Sequence, residues 1–281
     1  MDIQWFPGHM AKAKRLLNEK LKLINVAIIV VDARAPLSTF NPDLKDMLAG
    51  KQCIVVLNKC DLANDALTKK WTQHYQDLYG NAVAFSAVRY KKDVLLSAVN
   101  QAAIPIIRKY ADKGMKKTIR VLIAGIPNVG KSAIINRLVG RKGVKEGDKP
   151  GVTKGLQWVR LSDSLELLDS PGLLWPKIDS ESASVKIAVT GCIRQEIIDI
   201  PALAIRLIDM LKSVAPGIIA ARYGIEDGGD AAEMLKEICK KRGFLLRRGE
   251  IDTERGAKTL LDEFKGGWLG KVTLESPDHF V

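Results

Sequence analysis

The spacing of apolar and polar positions changes character once along the chain. Up to about residue 175, short β-branched runs alternate with longer stretches whose apolar residues recur at helical spacing. Val26–Asp32 (VAIIVVD), Cys53–Leu57 (CIVVL), Ala82–Phe85 and Ile119–Ala124 (IRVLIA) are the clearest runs, and Leu156–Leu161 and Leu165–Leu168 read as two more strands. Helical patterns occupy Asn41–Ala49, Ala66–Leu78, Val94–Tyr110 and Ala133–Val139, and the basic residues from Lys12 to Lys20 fall on a first helix. Strands that are apolar throughout must be covered on both faces. The fold class is therefore α/β, a mostly parallel sheet with helices on both sides. Beyond Trp175-Pro176 the pattern turns all-helical: Ser182–Val189, stopped at Gly191, then Pro201–Val214, Ala231–Arg242 and Arg255–Phe264. A glycine-rich tail follows, strand-like at Lys271–Glu275. The switch predicts two domains, 1–177 and an all-α 178–281.

Composition narrows this little. The 281 residues are 47% apolar and 27% charged, which is globular and excludes a disordered chain. The longest clean aliphatic run, Val26 to Val31, falls far short of the ~20 residues a membrane helix needs. The opening MDIQWFPGHMAKAKRLL has no secretory pattern, so a cytoplasmic protein with no membrane partner is expected. Cys53, Cys60, Cys192 and Cys239 form no CxxC pair, and His9, His74 and His279 lie far apart, which speaks against zinc and for buried reduced thiols.

Charge says more. The chain carries 44 basic and 32 acidic residues, a net +12. Residues 1–180 hold 29 basic and 16 acidic side chains, residues 181–281 hold 15 and 16, so the excess belongs to the first part. It gathers at Lys12, Lys14, Arg15 and Lys20, at Arg108–Arg120, and at Arg137–Lys154. Such patches favour a polyanion, here RNA through its phosphates, with no DNA expected. Lys240-Lys241-Arg242 and Arg247-Arg248, a stretch free of acid, form a second candidate contact.

The decisive chemistry is Gly125-Ile-Pro-Asn-Val-Gly130-Lys131-Ser132, a full G-x-x-x-x-G-K-[ST] match between a strand and a helix. Glycines let backbone N–H groups wrap phosphates, and the helix amino terminus adds its positive dipole. The stretch Asn128, Val129, Gly130, Lys131, Ser132 and Ala133 is thus the expected phosphate cradle. Lys131 reaches the β- and γ-phosphates as a catalytic cation, and Ser132 Oγ can ligate Mg²⁺. Asn58-Lys59-Cys60-Asp61 directly follows the strand CIVVL and selects the base. A carboxylate at Asp61 accepts from guanine N1–H and its N2 amino group, which adenine cannot offer. Asn58 orients the loop and the Lys59 stem covers the ring. Ser86-Ala87, after the third strand, supplies backbone N–H to guanine O6.

Asp169-Ser170-Pro171-Gly172 follows LELL and fits D-x-x-G. Asp169 would hold Mg²⁺ through water, and the Gly172 N–H would meet the γ-phosphate. Thr153, in Lys149-Pro150-Gly151-Val152-Thr153, is the best candidate for a switch threonine that also ligates Mg²⁺. Loss of the γ-phosphate would release both loops. The order is circularly permuted: NKxD and Ser-Ala precede the phosphate loop instead of following it. The D-x-x-G switch therefore runs on into the helical region, which is expected to anchor it.

WFPGHMAKA, VDAR (31–34), NKCD, GIPNVGKS, PGVT and DSPGLLWPK in this order resemble the bacterial ribosome biogenesis GTPase A family, across nearly the whole chain. The resemblance implies a GTP-hydrolysing factor acting late in large-subunit (50S) assembly, binding 23S ribosomal RNA and precursor particles and stimulated by them. Its rivals are a permuted GTPase acting on another RNA or on the small subunit, and a non-hydrolysing GTP-dependent RNA-binding switch. GKSA here replaces the commoner GKST, and DSPG the commoner DTPG. Leu173 stands where many GTPases have a water-orienting Gln, and leucine cannot orient water. The resemblance points to His9, in Pro7-Gly8-His9, as the catalytic replacement; an RNA contact is the alternative. Asn128 is a candidate ligand for K⁺, or simply shapes the loop.

Overall fold

The computed structural model describes residues 8–140, 156–170, 172, 178, 180–193, 199–247 and 249–279. Thr153, Leu173, the basic stretch 141–154 and the side chain of His9 lie outside the described residues.

Six strands form one sheet in the order β3-β2-β1-β4-β6-β5. They are β1 (Val26–Asp32), β2 (Gln52–Asn58), β3 (Ala82–Ala84), β4 (Ile119–Ala124), β5 (Gln157–Ser162) and β6 (Leu165–Asp169). All neighbours run parallel except β5, which is joined to β6 by a tight turn and pairs antiparallel at the sheet edge. The central strand β1 is buried along its whole length. Its side chains alternate: Val26, Ile28 and Val30 face one core, while Ala27, Ile29 and Val31 face the other. Helices α1 (Gly8–Leu21), α2 (Asp43–Met47) and α3 (Asp65–Tyr79) supply Leu17, Leu44 and Trp71 to the second core. Helices α4 (Asp93–Ala111) and α5 (Lys131–Val139) supply Leu95, Val99, Ile134 and Ile135 to the first.

That first core continues without a break into the helical part. Ile187 of α6 (Glu181–Val189), Leu207 of α7 (Ile200–Val214), Ile219 of α8 (Ile218–Tyr223), Leu235 of α9 (Ala231–Arg242) and Leu260 of α10 (Thr253–Gly266) belong to it. The helix starts are set by side-chain caps: Ser180, Asp199, Asp230 and Asp252 each accept from a first-turn N–H. Two expectations change here. The helix read over Asn41–Ala49 is a single turn and a half, and the short α8 had no clear periodic signal.

The tail differs more. Lys271–Glu275 joins no sheet. It lies as a strap over loops of the first half. Val272 N–H donates to Leu62 O at 3.1 Å and Leu274 N–H to Arg34 O at 2.7 Å. The Glu275 carboxylate accepts from Leu37 N at 2.8 Å, from Ser38 N and from Ser38 Oγ, and Lys186 of α6 comes within 3.4 Å of it. Val272, Thr273, Leu274 and Glu275 are all buried, so the segment is enclosed by these loops rather than paired as a strand.

Removing one member of a buried charge cluster strands the others. Glu275→Ala should therefore lower the unfolding free energy by about 3 kcal/mol. Lys70→Ala, which breaks the exposed pair with Asp278 at 2.6 Å, should cost well under ~1 kcal/mol. Urea titration of the three proteins checks both.

Candidate nucleotide-binding site

The parallel register sets the carboxyl ends of β1 and β2 level, Asp32 beside Asn58, while β4 ends at Ala124 beside Ile29, three residues before the end of β1. Each strand there hands over to a motif loop, VDAR, NKCD and GIPNVGKS in turn. Open α/β sheets bind ligands along this edge.

Asn58 ties three loops together. Its Nδ2 donates to Val129 O at 2.8 Å, and its Oδ1 accepts from Ala87 N at 3.3 Å. Lys59 adds a second tie, its Nζ donating to Asn128 O at 3.0 Å. Among the described residues, Lys59 and Asn128 are the two non-glycines with positive φ, each at 59°. Such backbone costs about 1–3 kcal/mol and persists only where neighbours hold it. Two glycines are demanded by closeness as well. A Cβ on Gly125 would sit 2.5 Å from Val30 O, and one on Gly130 would overlap Asn58 Nδ2.

Lys131 opens α5, is buried, and donates from Nζ to Ile126 O at 2.8 Å. Burial lowers its pKa to about 8, with the charge of Asp169 opposing. Asp169 ends β6 fully buried, and neither carboxylate oxygen finds a hydrogen-bond partner among the described residues. Burial pushes its pKa up to about 6 against the pull of Lys131. A carboxylate left in that condition is costly, and a hydrated divalent cation would satisfy it. Ser170 Oγ donates to Ile123 O at 2.7 Å, pinning the D-x-x-G loop to β4. Gly172 lies against the phosphate loop; a Cβ there would meet Pro127 N at 2.6 Å.

The remaining base-side residues are nearby but differ in what they present. Asp61 is partly exposed and pairs with the exposed Arg89 at 3.3 Å, a pair of small energetic weight. Ser86 is buried and its Oγ accepts from Arg89 N. Cys60 is buried and its N–H donates to Phe85 O, so it shapes the loop. Ser132 and Ala133 sit in the first turn of α5, half-buried. The helical part reaches this edge at the phosphate loop, where Asn128 Nδ2 donates to Gly191 O at 2.8 Å.

Sequence reading missed the function of Asp32 and Arg34. Both are buried. Arg34 grips the Asp32 carboxylate through Nε at 2.9 Å and Nη2 at 2.8 Å, and Lys59 Nζ adds a contact at 3.0 Å. Burial by itself would raise the Asp32 pKa; the two cations instead hold it well below the usual carboxylate range. A charged pair placed directly after an all-apolar strand was the available signal, because buried charges must be matched.

Residues 120–241 match a family described as 50S ribosome-binding GTPase. Ribosome biogenesis GTPase A of Bacillus cereus is 40% identical over 286 residues, covering 100% of this chain and 96% of that one. The chain belongs to the ribosome biogenesis GTPase A family. The Thermotoga maritima relative of the same name is 32% identical, covering 99% and 96%. A GNP-bound YlqF from T. maritima matches with a TM-score of 0.69 at 30% identity, covering 95% of this chain and 99% of that one. A GDP-bound YlqF matches at 0.70 and 29%. This ribosome biogenesis GTPase A member is thus a GTPase whose motifs run in circularly permuted order on a mostly parallel sheet.

The Asp169 pKa has a definite consequence for stability. A carboxyl whose folded-state pKa is about 6, against 3.8 ordinarily, binds its proton more tightly when folded, so the contribution of Asp169 to the stability of the nucleotide-free protein falls as pH rises from about 4 to about 6. Lys131 acts in another window: its penalty is present below about 8 and is relieved as pH rises toward 10.5. In urea titrations without Mg²⁺ or nucleotide, the stability of wild type relative to Asp169→Asn should fall by about 2–3 kcal/mol between pH 4 and 7.

Proposed function

We propose that this GTPase binds GTP and GDP across the Asn58 junction and acts late in maturation of the large (50S) ribosomal subunit, on 23S ribosomal RNA and precursor particles in the cytoplasm. One observation carries the nucleotide part of the reading. Asn58 hydrogen-bonds both Val129 of the phosphate loop and Ala87 of the Ser-Ala loop, so motifs scattered in permuted order converge on one cleft.

In this reading the backbone of 128–133 cradles the phosphates, Lys131 balances the developing charge on the β- and γ-phosphates, and Gly172 contacts the γ-phosphate. Asp61 accepts from the guanine edge, Lys59 covers the ring, and Ser86-Ala87 face its O6. Ser132, Asp169 through water, and Thr153 hold Mg²⁺, which suits the buried Asp169 carboxylate, without a hydrogen-bond partner among the described residues. Mg²⁺ would neutralise phosphate charge there. His9 orients the attacking water, since Leu173 cannot. Asn128 is proposed as a ligand for K⁺. Its amide is already oriented by the bond from Nδ2 to Gly191 O, which fixes where the amide oxygen points.

The ribosomal part is supported by the family and by charge. Arg108, Lys109, Lys113 and Lys116 are all exposed on or just beyond α4, and Lys240, Lys241 and Arg242 on α9. Residues 1–177 would then be the GTP-binding unit and 178–281 a helical unit with a second RNA contact.

Turnover of GTP measured with 50S subunits, with 30S subunits and with neither tests this directly. The expected outcome is stimulation by 50S alone; stimulation by 30S alone would shift the target to the small subunit. His9→Ala should keep nucleotide affinity and lose most of the stimulated rate, on the order of 10²-fold or more. Replacing K⁺ by Na⁺ should lower turnover if Asn128 holds the ion.

A further inference from the structure

The α6 helix ends at Val189, and Gly191 turns the chain away with φ 81°. Two consecutive carbonyls at that end are used by different partners. Thr190 O accepts from Arg34 Nη2 at 3.3 Å, and Gly191 O accepts from Asn128 Nδ2 at 2.8 Å. Arg34 Nη1 also donates to Lys265 O at 3.1 Å and Phe264 O at 3.4 Å, at the end of α10. The guanidinium therefore closes the negative ends of two helices while it grips Asp32. It lies over the Phe264 ring at 5.4 Å, with 1% of its side chain exposed.

We propose that Arg34 is a positioning residue for the phosphate loop, acting through the carboxyl end of α6. By fixing Thr190 O it sets Gly191 O, one residue on, where that carbonyl holds the Asn128 side chain. Asn128 is a non-glycine in left-handed backbone, so it needs such a restraint to keep its conformation. Its carbonyl is restrained on the other side by Lys59, which shares Asp32 with Arg34. Nucleotide affinity and the seating of the helical elements are therefore linked, and the linkage is reciprocal. The inference rests on the proposal that this loop holds the nucleotide phosphates.

Arg34→Lys keeps the charge but loses the planar fork that spans Asp32 and three carbonyls. The experiment compares wild type, Arg34→Lys, Asn128→Ala, the double variant and Lys131→Ala, by titration with a fluorescent GDP analogue and by urea unfolding. Each of the first two variants should weaken GDP binding by about tenfold, within the usual range for coupled sites. The double variant should bind no more weakly than the weaker single, while Arg34→Lys lowers stability in both backgrounds. Unchanged GDP affinity in Arg34→Lys, or losses that multiply in the double variant, would overturn the inference. Lys131→Ala separates the two levels. If it also keeps full affinity, the nucleotide-site reading fails with the inference; if it loses affinity while Arg34→Lys does not, the inference fails alone. Should Arg34→Lys not fold, Gly191→Ala takes its place. A Cβ at φ 81° strains the α6 end without touching Asp32. Weakened GDP binding then supports the link and unchanged binding overturns it.

Discussion

A single carboxylate, Asp32, is the point on which the nucleotide edge of this protein depends. It is sealed at the end of the central strand, where an unmatched charge could not be tolerated. Two cations match it, and each is committed elsewhere as well. Arg34 is committed to the ends of α6 and α10, and Lys59 to the phosphate loop. The need to neutralise one buried charge thereby fixes three parts of the chain that are remote in sequence. The apolar core fills the space between layers, but it is directionless; the bidentate bonds to Asp32 are what give the edge its geometry.

The Lys131–Asp169 pair shows the opposite policy on the same edge. Burial pushes both groups toward their neutral forms. Asp32 is satisfied by Arg34 and Lys59, whereas the Asp169 carboxylate has no hydrogen-bond partner among the described residues.

Most of the frame was legible in the sequence because it is local. Val26–Asp32 and Ile119–Ala124 match their strands residue for residue, and Ala231–Arg242 matches α9, since apolar period, an N-cap aspartate and a terminal glycine all coincide there. The phosphate loop and NKCD were legible for the same reason: their chemistry is written in consecutive residues. Arg34 was visible only as one letter of VDAR. Its partners are backbone carbonyls at 190, 264 and 265, which carry no signature in sequence. The tail misled for a related reason. Lys271–Glu275 reads as strand-like, but it is buried from Val272 to Glu275 and its hydrogen bonds go to loops rather than to a neighbouring strand. The antiparallel placement of β5 likewise depends on the two-residue turn to β6, not on the composition of either strand.

The strap also imposes an order on biosynthesis. Glu275 O accepts from Trp71 Nε1 across 204 positions, and Thr273 Oγ1 donates to Ala33 O across 240. The loops carrying VDAR and NKCD emerge from the translating ribosome early, yet the groups that cap them are among the late ones made. Until then the backbone N–H groups of Leu37 and Ser38 lack the Glu275 carboxylate that serves them in the folded chain. A nascent chain therefore presents these loops before the residues that bond them from the strap have been made. The order of synthesis thus separates these loops from the strap that bonds them in the folded chain.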